Sequence, residues 1–205
     1  MKPILVFDTE TTGLPLFSEP SEHPDQPHIV QLGAALYDPI ARTKLASIDL
    51  VIKPDGWIIP DDVAAIHGIT TEIAAARGVP EGLAIELLLE LQEVAEYRLA
   101  YNETFDMRVV RIACMRHMTD TIADTWKAAP AKCAAKAATP IVKLAPTDRM
   151  RAAGRLNFKM PKLSEAYKFF TGLDLDGAHN AMIDVDACAA VWFAIEDRAA
   201  QGAAA

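Results

Sequence analysis

Asp8, Glu10, Asp106, His179 and Asp184 stand in the strings FDTETTG, YNETFD and HNAMID. Asp8 and Glu10 close the apolar run 4–7, and on a strand positions i and i+2 share a face. Two carboxylates are therefore expected to crowd one spot. Like charges that close repel, and protonation or a cation must relieve them. A divalent ion is the direct remedy. Hard ions such as Mg²⁺ prefer oxygen ligands, so carboxylates without Cys ligands suit Mg²⁺ or Mn²⁺ better than zinc. Two such ions about 3.5 to 4 Å apart hold both the attacking and the leaving oxygen of an in-line phosphoryl displacement. A neutral His beside them can take the proton from the attacking water. Metal-assisted hydrolysis of a phosphodiester is the chemistry that these residues suit.

Taken together and in this order, the three strings resemble the DEDDh 3′-to-5′ exonucleases. That family includes the proofreading subunit of bacterial replicative DNA polymerase and free-standing bacterial and phage enzymes. FDTETTG carries the family's Asp-x-Glu followed by Thr and Gly. Asn102 to Asp106 matches its Asn-x-x-Phe-Asp, and His179 with Asp184 matches its His-x-x-x-x-Asp. The resemblance runs from Ile4 to about Glu196. It implies metal ligation by Asp8, Glu10, Asp106 and Asp184, with two Mg²⁺ or Mn²⁺ ions per site. It also implies His179 as the general base and 5′-nucleoside monophosphates as products.

For the substrate, the resemblance implies that the turn of Thr11, Thr12 and Gly13 brings backbone amides to the terminal sugar and phosphate, and that Leu14 packs against the last base. It places the loop of His67 at the 3′-terminal nucleotide and Asn102 in the second motif. Simpler roles exist for two of these: Asn102 also reads as a helix N-cap, and His67-Gly68 as a helix stop. Asp186 matches no ligand position. The expected substrate is single-stranded DNA or a DNA 3′ end, with RNA as the alternative strand. A non-catalytic nucleic-acid-binding module would have lost at least one ligand, and none is lost. Proofreading members dock on a polymerase through a further tail. This chain ends soon after its last expected helix, so a free-standing enzyme is expected rather than a polymerase partner.

The elements that must position these groups fit an α/β fold, a ribonuclease-H-like mixed five-stranded sheet flanked by helices. Strands are expected at 4–8, 28–37, 44–53 and 98–101, with Asp38-Pro39 turning the hairpin. Pro15, Pro20, Pro24 and Pro27 mark an exposed loop after the first strand. Helices are expected at 61–66, 70–76, 81–97, 105–117, 163–170 and 179–198. In the third of these Leu83, Leu87, Leu91 and Val94 read as the buried stripe, and Phe105 reads as a core residue. The Ala-rich end, 199–205, reads as fraying.

A chain of 205 residues is expected to form a single exonuclease domain. It shows no signal peptide and no apolar run of about 18 residues, so the expectation is a cytoplasmic protein with no membrane contact. Cys114, Cys133 and Cys188 lack Cys-x-x-Cys spacing and read as reduced packing residues. The chain has no Gly-x-x-x-x-Gly-Lys loop and no Gly-x-Ser-x-Gly turn, which excludes the commonest triphosphate and serine-nucleophile designs. The formal charge of −8 opposes nucleic acid binding, but it is unevenly spread. Between Lys127 and Lys162 nine basic residues face the single acid Asp148. This basic segment reads as a flap-like insertion that holds phosphates beside the acidic site.

Overall fold

The computed structural model describes residues 1–203. Five strands form one mixed sheet in the order β3-β2-β1-β4-β5. They are β1 (Ile4–Thr11), β2 (Ile29–Tyr37), β3 (Lys44–Val51), β4 (Arg98–Ala100) and β5 (Ala131–Cys133). β1 pairs antiparallel with β2 and parallel with β4, so the two orientations meet at the strand that carries Asp8 and Glu10. β2 is buried along its whole length, as a central strand covered on both faces must be.

Nine helices are present among the described residues. They are α1 (Asp61–His67), α2 (Thr71–Arg77), α3 (Glu81–Val94), α4 (Glu103–His117), α5 (Asp120–Ala128), α6 (Ala134–Val142), α7 (Asp148–Ala152), α8 (Leu163–Thr171) and α9 (Ala181–Ala203). None is long and apolar enough to cross a membrane. Alternation along β1 divides the core in two. Leu5 and Phe7 join a cluster with residues of α3, α4 and α5. Ile4 and Val6 join another with α6, α8 and α9. Hydrophobic burial on both faces thus fixes β1 between two helical layers and leaves its C-terminal end free to carry polar groups.

Several local readings change. The buried face of α3 is Ala84, Ile85 and Leu88, whereas Leu83, Leu87 and Val94 are exposed. The sequence of α3 is apolar on nearly every side, so periodicity could not choose the face. The helices α5, α6 and α7 and the strand β5 are additional to the expected elements; α5 and α6 are amphipathic but only nine residues each, and β5 has three. α6 is Ala-rich and contains Pro140, and α7 has only five residues. The basic stretch 127–162 accordingly divides: β5 is a sheet edge and α6 buries Ala134, Ala135 and Ala138. Past α6, an isolated bridge between Leu144 and Lys159 closes residues 145–158 into a projecting arm. The helix of the Ala-rich end continues through Ala203, and Ala204 and Ala205 lie outside the described residues.

The proline-rich loop between β1 and β2 is mostly exposed, as expected, and is pinned by side chains. Buried Gln26 accepts from the backbone of Leu16 and donates to Leu16 and Pro20. Three arginines of α4 hold its rim: Arg108 donates to the Glu19 carbonyl, Arg111 to Ser21, and Arg116 to the carbonyls of Gln26 and Pro27. Glu81, at the start of α3, ties the loop's end to the helices. It accepts from the Ile29 amide at 2.9 Å, Arg116 at 2.9 Å and His117 at 2.7 Å. Burial opposes its charge, yet the hydrogen bonds from His117 and His28 and the Arg116 charge hold its carboxyl well below the usual carboxylate range.

One glycine sets the distance between sheet and helix. Gly33 pairs with Asp8 across the β1–β2 ladder, and a Cβ on it would lie 2.6 Å from the Ala181 carbonyl carbon and 2.8 Å from the Met182 nitrogen. These are backbone atoms of α9 that cannot step aside as a flexible side chain could. Gly33→Ala is therefore expected to push the first turn of α9 off the sheet and to lower stability by about 1 to 3 kcal/mol, read as the shift of the denaturant midpoint.

Candidate active site

The carboxylates converge where the C-terminal end of β1 meets the first turns of α4 and α9. Asp8 and Glu10 lie on the face of β1 that α9 covers, as their spacing predicts. Asp106 arrives from the opposite side in the first turn of α4, and Asp184 from the first turn of α9. The positive ends of two helix dipoles therefore aim at the cluster. Asp106, only 3 % exposed, is fixed by Thr9, whose amide and hydroxyl donate to its Oδ1 at 3.1 and 2.9 Å.

Electrostatics mark the site as short of positive charge. Burial, then the neighbouring Asp106, Asp184 and Glu10, hold the Asp8 carboxyl well above its ordinary value. Burial, Asp184 and Asp106 push Glu10 up to about 7. Burial raises Asp106 despite the Thr9 hydrogen bonds, and it raises Asp184 despite the bond from His179. Asp184 Oδ1 is buried and has no hydrogen-bond partner among the described residues. An ionised oxygen without donors is costly unless a cation completes it. Glu10, His179 and Asp184 each offer an atom within 4.8 Å of the others. The all-oxygen acids, the orphaned Oδ1 and the raised pKa values together fit a hard divalent ion.

His179 is exposed at the cleft edge in the left-handed region, with φ 67°, a conformation that costs about 1 to 3 kcal/mol. Its amide donates to Asp184 Oδ2 at 3.1 Å, so the backbone anchors the residue and leaves its ring unengaged among the described residues. Asn180 caps α9 by accepting from the Ile183 amide at 3.2 Å.

A cleft of about 460 Å³ opens over these groups. Its walls include every residue expected at the substrate except Thr12, that is Thr11, Gly13, Leu14, His67 and Asn102. Thr12 lies behind the wall, exchanging hydrogen bonds with His28 through its amide and hydroxyl, each 3.0 Å. Thr11 donates to the Gly13 carbonyl at 2.7 Å, which shapes the turn. Asn102 occupies the N-cap position of α4 but makes no side-chain cap bond, so the helix does not account for its side chain. Gly68 does end α1, at φ 76°. Phe105 is partly buried, packing on the core while also lining the cleft. Asp186 instead pairs with Lys44 at 2.6 Å and accepts from the Tyr37 hydroxyl.

Three residues were missed in the sequence. Thr9 orients Asp106, and Gly33 admits α9. Gln31 accepts from the Ala181 amide at 3.1 Å while donating to Asp49 at 2.7 Å, which ties the start of α9 to β2 and β3. The available signal was a Gln and a Gly inside the otherwise apolar strand IVQLGAALY.

The RNase_T family model, described as exonuclease, matches residues 5–192. No curated protein matches the sequence. Among solved structures, Escherichia coli exonuclease I in complex with a dT13 oligonucleotide superposes with a TM-score of 0.76 at 22 % identity. That match covers 98 % of this chain and 42 % of the other. The zinc-bound form of the E. coli exonuclease I–single-stranded DNA complex gives 0.73 at 21 %, covering 98 % and 42 %. A product-bound exonuclease I structure gives 0.73 at 21 %, covering 98 % and 45 %. The chain thus spans about two fifths of the length of these proteins, and the likeness is one of fold. The family model runs through all three acidic motifs, so this chain belongs to the exonuclease family, in its DEDDh type.

Proposed function

We propose that the protein is a metal-dependent exonuclease that trims single-stranded DNA from its 3′ end and releases 5′-nucleoside monophosphates. The observation that carries this reading is the convergence of four carboxylates, one with a buried unpartnered oxygen, beside a histidine whose ring is unengaged. The E. coli exonuclease I structure holding dT13 supports the choice of strand.

Asp8, Glu10, Asp106 and Asp184 would hold two Mg²⁺ or Mn²⁺ ions. When bound, such ions neutralise the attacking and leaving oxygens of the displacement. His179 takes the proton of the attacking water as its oxygen bonds to phosphorus. The bond from phosphorus to the 3′-oxygen of the next nucleotide breaks, that oxygen ends as a hydroxyl on the shortened strand, and the phosphate leaves on the released nucleotide. Leu14, Ile66 and Phe105 give the terminal base and sugar an apolar wall. At Gly13 nothing beyond its two chain neighbours lies within 4 Å of where a Cβ would stand, and φ is not left-handed, so the missing side chain leaves room in the cleft and not in the fold.

His67 is assigned to the terminal 3′-hydroxyl. Its Nδ1 accepts from the Ile69 amide at 3.2 Å, which places the proton of the neutral ring on Nε2. That Nε2 is buried without a partner among the described residues. Burial and the nearby His179 lower the His67 pKa, which favours the neutral donor.

Three outcomes test the reading. With Mg²⁺, a 3′-labelled single strand should lose its label as mononucleotide and EDTA should stop the loss; internal fragments, or an RNA strand cut in preference, would refute it. His179→Ala should cut kcat by about 10² to 10⁴ with little change in strand affinity, whereas Asp8→Asn should abolish metal-dependent turnover. The third outcome concerns pH. Glu10 is raised from 4.5 to about 7, so its contribution to stability is full below pH 4.5 and is lost as pH rises through 7. Metal-free protein should therefore melt at falling temperatures over that interval. Glu10→Gln should flatten the dependence, and Mg²⁺ should raise Tm more at pH 8 than at pH 5.

A further inference from the structure

The catalytic cleft does not end at its own walls. It shares Tyr101, Asn102, Leu163, His179 and Asp184 with a second hollow of about 390 Å³. That hollow in turn shares Met160 with a third, of about 520 Å³, between α6 and the arm 145–158. The three form one groove that leads from the carboxylates to the basic arm.

The groove changes character along its length. Beyond Asp184 its lining contains no acidic side chain. Lys162 lines the middle hollow, and Lys136 and Arg155 line the far one. None of these three forms an ion pair among the described residues, whereas Lys159 is neutralised by Glu165 at 2.6 Å. Phe158 lines the far hollow, is 44 % exposed and belongs to none of the core clusters. The arm's helix, α7, buries no residue at all. The whole chain carries a formal charge of −8, so a polyanion needs a cationic path to reach a cluster of acids. Free cations beside an exposed ring match a single strand, whose phosphates take the charges and whose unpaired bases take the ring face.

We propose that this groove holds the segment of single-stranded DNA lying 5′ of the nucleotide in the cleft. Lys136, Arg155 and Lys162 contact its phosphates and Phe158 stacks on one of its bases. The assignment rests on the exonuclease reading for the direction of the strand, but its binding chemistry is measured separately.

Fluorescence anisotropy of a labelled oligo-dT in EDTA, where the proposed chemistry is halted, tests the groove directly. K136A/R155A should weaken binding about tenfold near 0.1 M salt and flatten the slope of log affinity against log salt by about 1.4, the share of two phosphates on a single strand. F158A should weaken binding about fivefold or more, and F158W should restore it. With Mg²⁺, hydrolysis of the nitrophenyl ester of thymidine 5′-monophosphate, which fills only the cleft, should stay at the wild-type rate in all three variants and so report that they fold. Affinity and salt slope unchanged in K136A/R155A and F158A, or no oligo-dT binding by the wild type, would overturn the groove. Continued 3′ trimming in that case would leave the exonuclease reading standing. A wild type that binds as described yet cuts neither substrate would overturn the exonuclease reading and support the groove as a binding track.

Discussion

Mutual repulsion among four carboxylates at one end of β1 is the constraint around which the rest of the molecule is arranged. Burial is the first cause that raises these carboxyls; to it Asp106, Asp184 and Glu10 add their charge at Asp8, and Asp184 and Asp106 theirs at Glu10. Such a cluster survives in a folded chain because the groups that carry it are held elsewhere. Ile4, Leu5, Val6 and Phe7 anchor β1 between two apolar layers. The hydrophobic effect there offsets strain that the acids create a few residues on. Helix N-termini supply the local compensation, together with the two Thr9 donors on Asp106.

The placement of α9 extends this constraint across the sheet. His179 and Asp184 have no strand of their own; their position depends on how closely α9 approaches β2. Gly33 allows that approach, and Gln31 makes it directional by binding the Ala181 amide on one side and Asp49 on the other. A residue on the edge strand β3 is thereby linked by two hydrogen bonds to Ala181, two positions after the histidine. The coupling is geometric: a shift of the helix start moves Asp184 and His179 together.

The sequence made the site more legible than its supports. Asp-x-Glu at the end of an apolar run specifies a shared face, because strand periodicity is local. His179 and Asp184 fall within five residues across a helix start, another local pattern. The sheet strands 29–37 and 98–100 were also readable, from short stretches that are mainly apolar. What escaped depends on partners distant in sequence. The buried face of α3 is chosen by the cluster it meets, and the residues 83–91 are too uniformly apolar to declare it. The Pro-rich stretch is the exposed loop that its prolines imply, but its pinning is invisible locally because the anchors, Arg108, Arg111 and Arg116, lie about ninety residues away on α4. β5 and α6 were masked by short length and alanine.

The anchoring of that Pro-rich loop has a thermodynamic effect on recognition. Leu14 stands 78 % exposed at the cleft mouth, beside a loop already fixed through Gln26 and the arginines of α4. In the proposed function, an arriving nucleotide meets a wall that has given up its disorder during folding, so little contact energy goes into immobilising that part of the protein. Discrimination at this wall then comes from shape, because a rigid rim does not remodel itself around a poorly fitting terminus.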